Sequence, residues 1–155
     1  MKHLFVLLVL VFAARPTGAA YTPKEATMTA RGTFDVKVTP QPADDTAGGA
    51  FSRFFLAKEL QGDLAATSHG HMMAAETAVE GSAAYVALER VTGTLHGKQG
   101  SFILQHRGTM RGGDYVMDVT VVPDSGTGEL TGIAGRMTII LEGGKHSYEL
   151  EYSIE

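Results

Sequence analysis

Glu89–Leu141, ERVTGTLHGKQGSFILQHRGTMRGGDYVMDVTVVPDSGTGELTGIAGRMTIIL, decides the fold. Glycines and other turn formers recur about every ten residues, the spacing of a meander of antiparallel strands. Between them, apolar residues alternate with polar ones, so each segment shows one apolar face. Ser101 to Thr109 sets Phe102, Leu104 and His106 against Ile103, Gln105 and Arg107. Tyr115 to Val122 sets Tyr115, Met117, Val119 and Val121 against Val116, Asp118, Thr120 and Val122. Arg111-Gly112-Gly113-Asp114 between them reads as a hairpin turn, and Pro123 ends the second strand.

The same pattern extends in both directions. Upstream, Ala83 to Val91 puts Tyr85, Ala87, Glu89 and Val91 on one face. Gly93 and Gly97-Lys98-Gln99-Gly100 predict breaks around a short strand at Thr94 to His96. Leu64 to Met73 is extended and continues through the Ala-rich Ala74–Ala78 to a turn at Glu80-Gly81-Ser82. Phe51 to Leu60 alternates Phe54, Leu56, Lys58 and Leu60; a helical turn would also suit its composition, but the following Gln61-Gly62-Asp63 favours a strand. Gly32 to Val38 is the first strand, ended by Pro40 and Pro42, and Gln41–Ala50 reads as an exposed loop. Downstream, Met137–Leu141 and His146–Ile154 form a last hairpin around Gly143-Gly144, with Tyr148, Leu150, Tyr152 and Ile154 on one face. About eight strands and little or no helix predict an all-β, antiparallel closed barrel. Such a barrel is either packed solid or holds one small ligand.

The first twenty residues have a different character. Lys2 and His3 precede the apolar run Leu4–Ala14, and Thr17-Gly18-Ala19-Ala20 supplies small residues, the order of a secretory signal peptide cleaved near Ala20. The run is about half the roughly twenty residues needed to cross a bilayer, so stable membrane insertion of the mature chain is not expected. The expected division is residues 1–20 as signal, 21–29 as a flexible N-terminal segment and 30–155 as one barrel domain, secreted or periplasmic. Without the signal, 11 basic residues face 17 acidic ones. That negative balance repels phosphate backbones and argues against nucleic acid as a partner. With no cysteine, the chain has no disulfides, thiol catalysis or thiolate metal sites. It also has no Trp, so any aromatic platform must use Phe or Tyr.

Ser125–Met137, SGTGELTGIAGRM, resembles the glycine-rich turn shared by allene oxide cyclases and plant dirigent proteins. Gly126, Gly128, Gly132 and Gly135 are expected to supply positive φ and close backbone approach there. The wider stretches GSFILQH (Gly100–His106) and VVPDSGTGEL (Val121–Leu130) resemble a mostly bacterial family known as domain-of-unknown-function family 3224, related to that barrel. The resemblance covers roughly Ala30 to Ile154. It implies an allene-oxide-cyclase-like barrel and self-association as a homo-oligomer, but no established activity. No residue of the cyclase site carries over to a position in this chain, and fold analogy alone licenses no reaction.

Two residues stand out for chemistry. Glu89 and His106 each sit mid-strand on an apolar face, so a lumen would hold a carboxylate and an imidazole together. Such a pair could move a proton in an isomerisation or cyclisation, or could tie strands together structurally. Burial would raise the Glu89 pKa, and a nearby imidazole would oppose that. A small apolar ligand in the lumen would meet Tyr85, Phe102, Leu104, Tyr115, Met117, Tyr148 and Tyr152. His69 and His71 share a strand face at metal-ligand spacing, but a third ligand such as His96 or His146 would have to come from elsewhere. The better reading is two exposed histidines, with no metal and no cofactor. Ser68, Ser101 and Ser125 lack a nucleophile-elbow context, and the methionines suit adaptable packing. The function that follows is an exported barrel binding a small apolar molecule. The alternatives are a cyclase or isomerase working through Glu89 and His106, or a packed interaction module.

Overall fold

The computed structural model describes residues 28–42 and 51–155. The signal peptide, the segment 21–27 and most of the expected loop Gln41–Ala50 lie outside the described residues. The strands are β1 (Met28–Pro40), β2 (Ser52–Gly62), β3 (Leu64–Glu76), β4 (Ala83–Leu95), β5 (Lys98–Arg111), β6 (Asp114–Val121), β7 (Thr127–Gly128), β8 (Ile133–Glu142) and β9 (Lys145–Ile154). Eight of them form an antiparallel ring in the order β1-β2-β3-β4-β5-β6-β8-β9, closed by β9 on β1, and two-residue β7 pairs with β5. The described residues contain no helix. The all-β closed barrel read from the alternation is therefore the observed fold.

The hairpins use the turns that their residues favour. Gly112 and Gly113 have φ of 59° and 94°, and Gly143 and Gly144 have 56° and 76°. Two consecutive positive φ values give the type I′ turn, whose twist matches the strands it joins. The expected break at Gly93 does not occur: β4 runs through it to Leu95 and turns at His96-Gly97. A Cβ at Gly93 would lie 2.3 Å from the Ala65 carbonyl oxygen, so this glycine allows close approach to β3. The glycine-rich turn divides in the same way. Gly128 and Gly132 have positive φ, whereas Gly126 and Gly135 do not. Gly126 and Gly135 serve close approach, since a Cβ would lie 2.0 Å from the Leu130 oxygen and 2.4 Å from the Glu151 oxygen respectively.

One end of the barrel is solid. Leu64, Leu95, Val91, Phe102, Leu104, Leu130, Ile133, Leu150 and Tyr152 pack there with almost no exposure. Tyr148 ties this plug to the β2–β3 turn: its hydroxyl accepts the Leu64 N–H at 3.0 Å and donates toward the Gln61 carbonyl at 3.1 Å. Tyr152 bonds His96 Nδ1 at 2.7 Å at the β4–β5 turn. Replacing Tyr148 with Phe leaves the Leu64 N–H buried without a partner and is expected to cost about 1–3 kcal/mol. Urea denaturation checks this as a lowered midpoint at unchanged slope.

Candidate functional site

Above the plug, four adjacent strands each contribute one polar side chain to the apolar interior. Lys58 on β2 lies opposite Ser68 on β3, Gly70 on β3 lies opposite Glu89 on β4, and Ala87 on β4 lies opposite His106 on β5. All four polar groups are buried, with Glu89 2 % and Lys58 8 % exposed. Glu89 is the hub. Its Oε1 accepts Lys58 Nζ at 2.7 Å and His106 Nε2 at 2.8 Å, and its Oε2 accepts Ser68 Oγ at 2.8 Å. Gly70 makes room for it, because a Cβ there would sit 2.6 Å from the Glu89 Cα and Cβ. Lys58 Nζ also lies 5.0 Å from the centre of the Phe34 ring, a cation–π contact.

Burial alone would raise the Glu89 pKa, but the His106 hydrogen bond and the Lys58 charge outweigh it and hold the carboxyl at about 2. Glu89 is therefore ionised and accepts from every neighbour, so His106 Nε2 carries the hydrogen. Nothing among the described residues hydrogen-bonds His106 Nδ1.

The cluster forms the floor of a cavity of about 710 Å³, which is lined by Phe34, Val36, Leu56, Lys58, Met72, Tyr85, Ala87, His106, Tyr115 and Met117, with residues of β6 and β8. Its mouth lies at the β5–β6 and β8–β9 hairpins, where Tyr115 and Leu141 are 53 % and 64 % exposed. The barrel is thus a cup. Lys58 and His106 reach its lumen, while Glu89 lies behind them and does not line it. At the rim, the Tyr115 hydroxyl donates to the Tyr85 hydroxyl at 3.0 Å. Burial first, then this bond, holds the Tyr85 phenol above the usual tyrosine range.

Seven apolar and aromatic residues were expected around a ligand, and the structure divides them. Tyr85, Tyr115 and Met117 line the cavity, whereas Phe102, Leu104, Tyr148 and Tyr152 belong to the solid plug and do not. All seven alternate inward, but they lie at different heights in the barrel. Glu89 and His106 do meet. Lys58 and Ser68 were missed as their partners. The available signal was a lysine in phase with Leu56 and Leu60 on an apolar face. His69 and His71 lie on the outer face, where both contact the Phe55 ring. His146 stacks on Phe34, and His96 sits beside Asp63 at the closed end. Among the described residues, no group of three or more His, Asp or Glu is placed to hold a metal.

Fold and site together define a cup-shaped β-barrel with an apolar lumen and a charged floor. The sequence profile of a family described as "Protein of unknown function (DUF3224)" matches residues 30–152. The chain belongs to that family. A crystal structure of a DUF3224-family protein of unknown function from Shewanella oneidensis MR-1 is similar, with 48 % identity and a TM-score of 0.78. The match covers 83 % of this chain and 97 % of that one. Comparison with curated proteins finds no match.

The hub predicts a specific acid response. The folded Glu89 pKa is depressed from 4.5 to about 2. Its stabilisation is therefore full above pH 4.5 and is lost as pH falls towards 2. Glu89→Gln is expected to cost about 3–5 kcal/mol at neutral pH, because Lys58 is left buried without a counter-charge. The variant should also lack this part of the acid loss. Urea melts of both proteins across that pH range test the two effects together.

Proposed function

We propose that the protein is a binding barrel whose lumen takes a small, mainly apolar molecule bearing one hydrogen-bonding group. The observation that carries this reading is the placement of Lys58 and His106 at the floor of a mainly apolar cavity, whose lining also includes His146, Asp118 and Arg136. An apolar wall with a few placed polar groups is the usual composition of a small-molecule site. The uncommitted His106 Nδ1 and the remaining Lys58 N–H groups are suited to a hydroxyl or similar head. The Leu4–Ala14 run supports export, and the Ser125–Met137 turn supports kinship with the allene oxide cyclase and dirigent barrels.

A cyclase or isomerase is the second reading, favoured by the orientation of His106. An ionised carboxylate on Nε2 makes that nitrogen the donor and leaves Nδ1 as the nitrogen available to a general base. In that reading Glu89 positions His106 and does not itself exchange protons with a substrate.

Titration with 1-naphthol tests the binding reading, with a fluorescence signal free of tryptophan background. Saturable binding to the full chain is expected, weakened about tenfold in His106→Gln, the loss of one hydrogen bond of roughly 1.4 kcal/mol. Met117→Trp, which fills the cup, should abolish it. No saturable binding, together with no co-purified small molecule in native mass spectrometry, would overturn the reading. The second reading fails for a candidate substrate if His106→Gln converts it at the unchanged rate, because His106 is then not its general base.

A further inference from the structure

The wall of the cup is incomplete along one seam. β6 and β8 are joined by a single register pair, Thr120↔Arg136, whereas the other long neighbours pair along most of their lengths. Above that pair the two strands have no sheet pairing, and the cavity extends between them. Its lining includes not only the inward residues Tyr115, Met117, Met137, Ile139 and Leu141, but also Asp118, Arg136 and Thr138. Alternation puts these last three on the outer face, so the cavity passes through the wall there.

The slot adjoins the floor cluster. His106 lies directly opposite Val119 on β6, so only that strand separates the imidazole from the slot. An ion pair crosses the outer side: Arg136 Nη2 lies 3.2 Å from Asp118 Oδ1, and Arg107 Nε holds Asp118 Oδ2 at 3.1 Å. Such exposed pairs add little stability. This one spans the seam where an added polypeptide strand would need to hydrogen-bond with both edges.

We infer that the β6–β8 slot is a second subsite for the hydrocarbon chain of a linear amphiphile whose polar head rests on His106 and Lys58. This rests on the lumen-binding reading above and adds the shape of the ligand. A cleft with inner walls of Met117, Met137, Ile139 and Leu141 and an outer rim at Asp118, Arg136 and Thr138 suits an unbranched chain, and its continuity with the cavity lets head and chain bind at once. Met side chains adapt to such a chain without a fixed shape.

The chain contains no cysteine, so a paired substitution gives a clean test. In the Thr120↔Arg136 register, Asp118 and Thr138 are the next residues on the outer face to oppose one another. A disulfide in Asp118→Cys/Thr138→Cys draws the strands together and closes the slot. Titrations use 1-decanol as the linear probe and 1-naphthol as the compact one. Oxidation is expected to weaken 1-decanol binding at least tenfold and leave 1-naphthol binding unchanged, with full recovery on reduction. Thr138→Trp, which covers the slot from its outer face without a crosslink, should give the same split if the disulfide fails to form. Equal 1-decanol affinity with the slot open and closed overturns the inference while leaving the binding reading intact. Failure of both probes to bind the parent protein overturns both.

Discussion

The interior of this barrel depends on one carboxylate. Glu89 takes hydrogen bonds from Lys58, His106 and Ser68, three groups on three other strands. Neither Lys58 nor Glu89 is tolerable alone in an apolar interior: an unpaired buried ammonium or carboxylate would change its protonation or unfold its surroundings. Together the four groups neutralise one charge pair and occupy both carboxylate oxygens. Buried ion pairs often add no net stability over a well-packed apolar replacement. Here the arrangement leaves two polar groups at the lumen and holds one of them through a hydrogen bond, so its consequence is a polar floor under the cavity.

The two ends of the barrel divide the labour. The closed end, with Phe102, Leu104, Leu130, Ile133, Tyr148 and Tyr152, holds the β-structure by dense packing in a chain without disulfides. Its tyrosines bond to the β2–β3 and β4–β5 turns and stop the strand ends from fraying. That support allows the other half to stay hollow, with Lys58 and Glu89 buried and β6 and β8 joined by one pair. Cavities and buried charge both weaken a core, and a small barrel can carry them only where the rest is well packed.

Much of this was legible in the sequence. Strict alternation between Gly-rich turns gave the strands from Ala83 to Val122 and the last hairpin, and alternation alone put Glu89 and His106 on inward faces. What stayed hidden was whatever depends on height or distance in the chain. Tyr85 and Tyr148 look equivalent in a period of two, yet one rims the cavity and the other plugs the closed end. Lys58 lies 31 residues from Glu89, and lysine on a strand ordinarily reads as solvated. Gly93 signals a break locally, while its actual role is set by Ala65 on a neighbouring strand. The weak seam shows in neither strand's own sequence, because it is a property of how β6 and β8 pair with each other, through Thr120↔Arg136 alone.

The orientation of His106 tests the account most directly. Long-range ¹⁵N–¹H correlation spectra of the imidazole, recorded at neutral pH with His106→Gln for assignment, distinguish its protonation states. The prediction is hydrogen on Nε2, donated to Glu89, and an Nδ1 resonance that shifts when a ligand fills the cup. Hydrogen on Nδ1 with a bare Nε2 would contradict it, because an ionised Glu89 could not then hold the ring through that nitrogen.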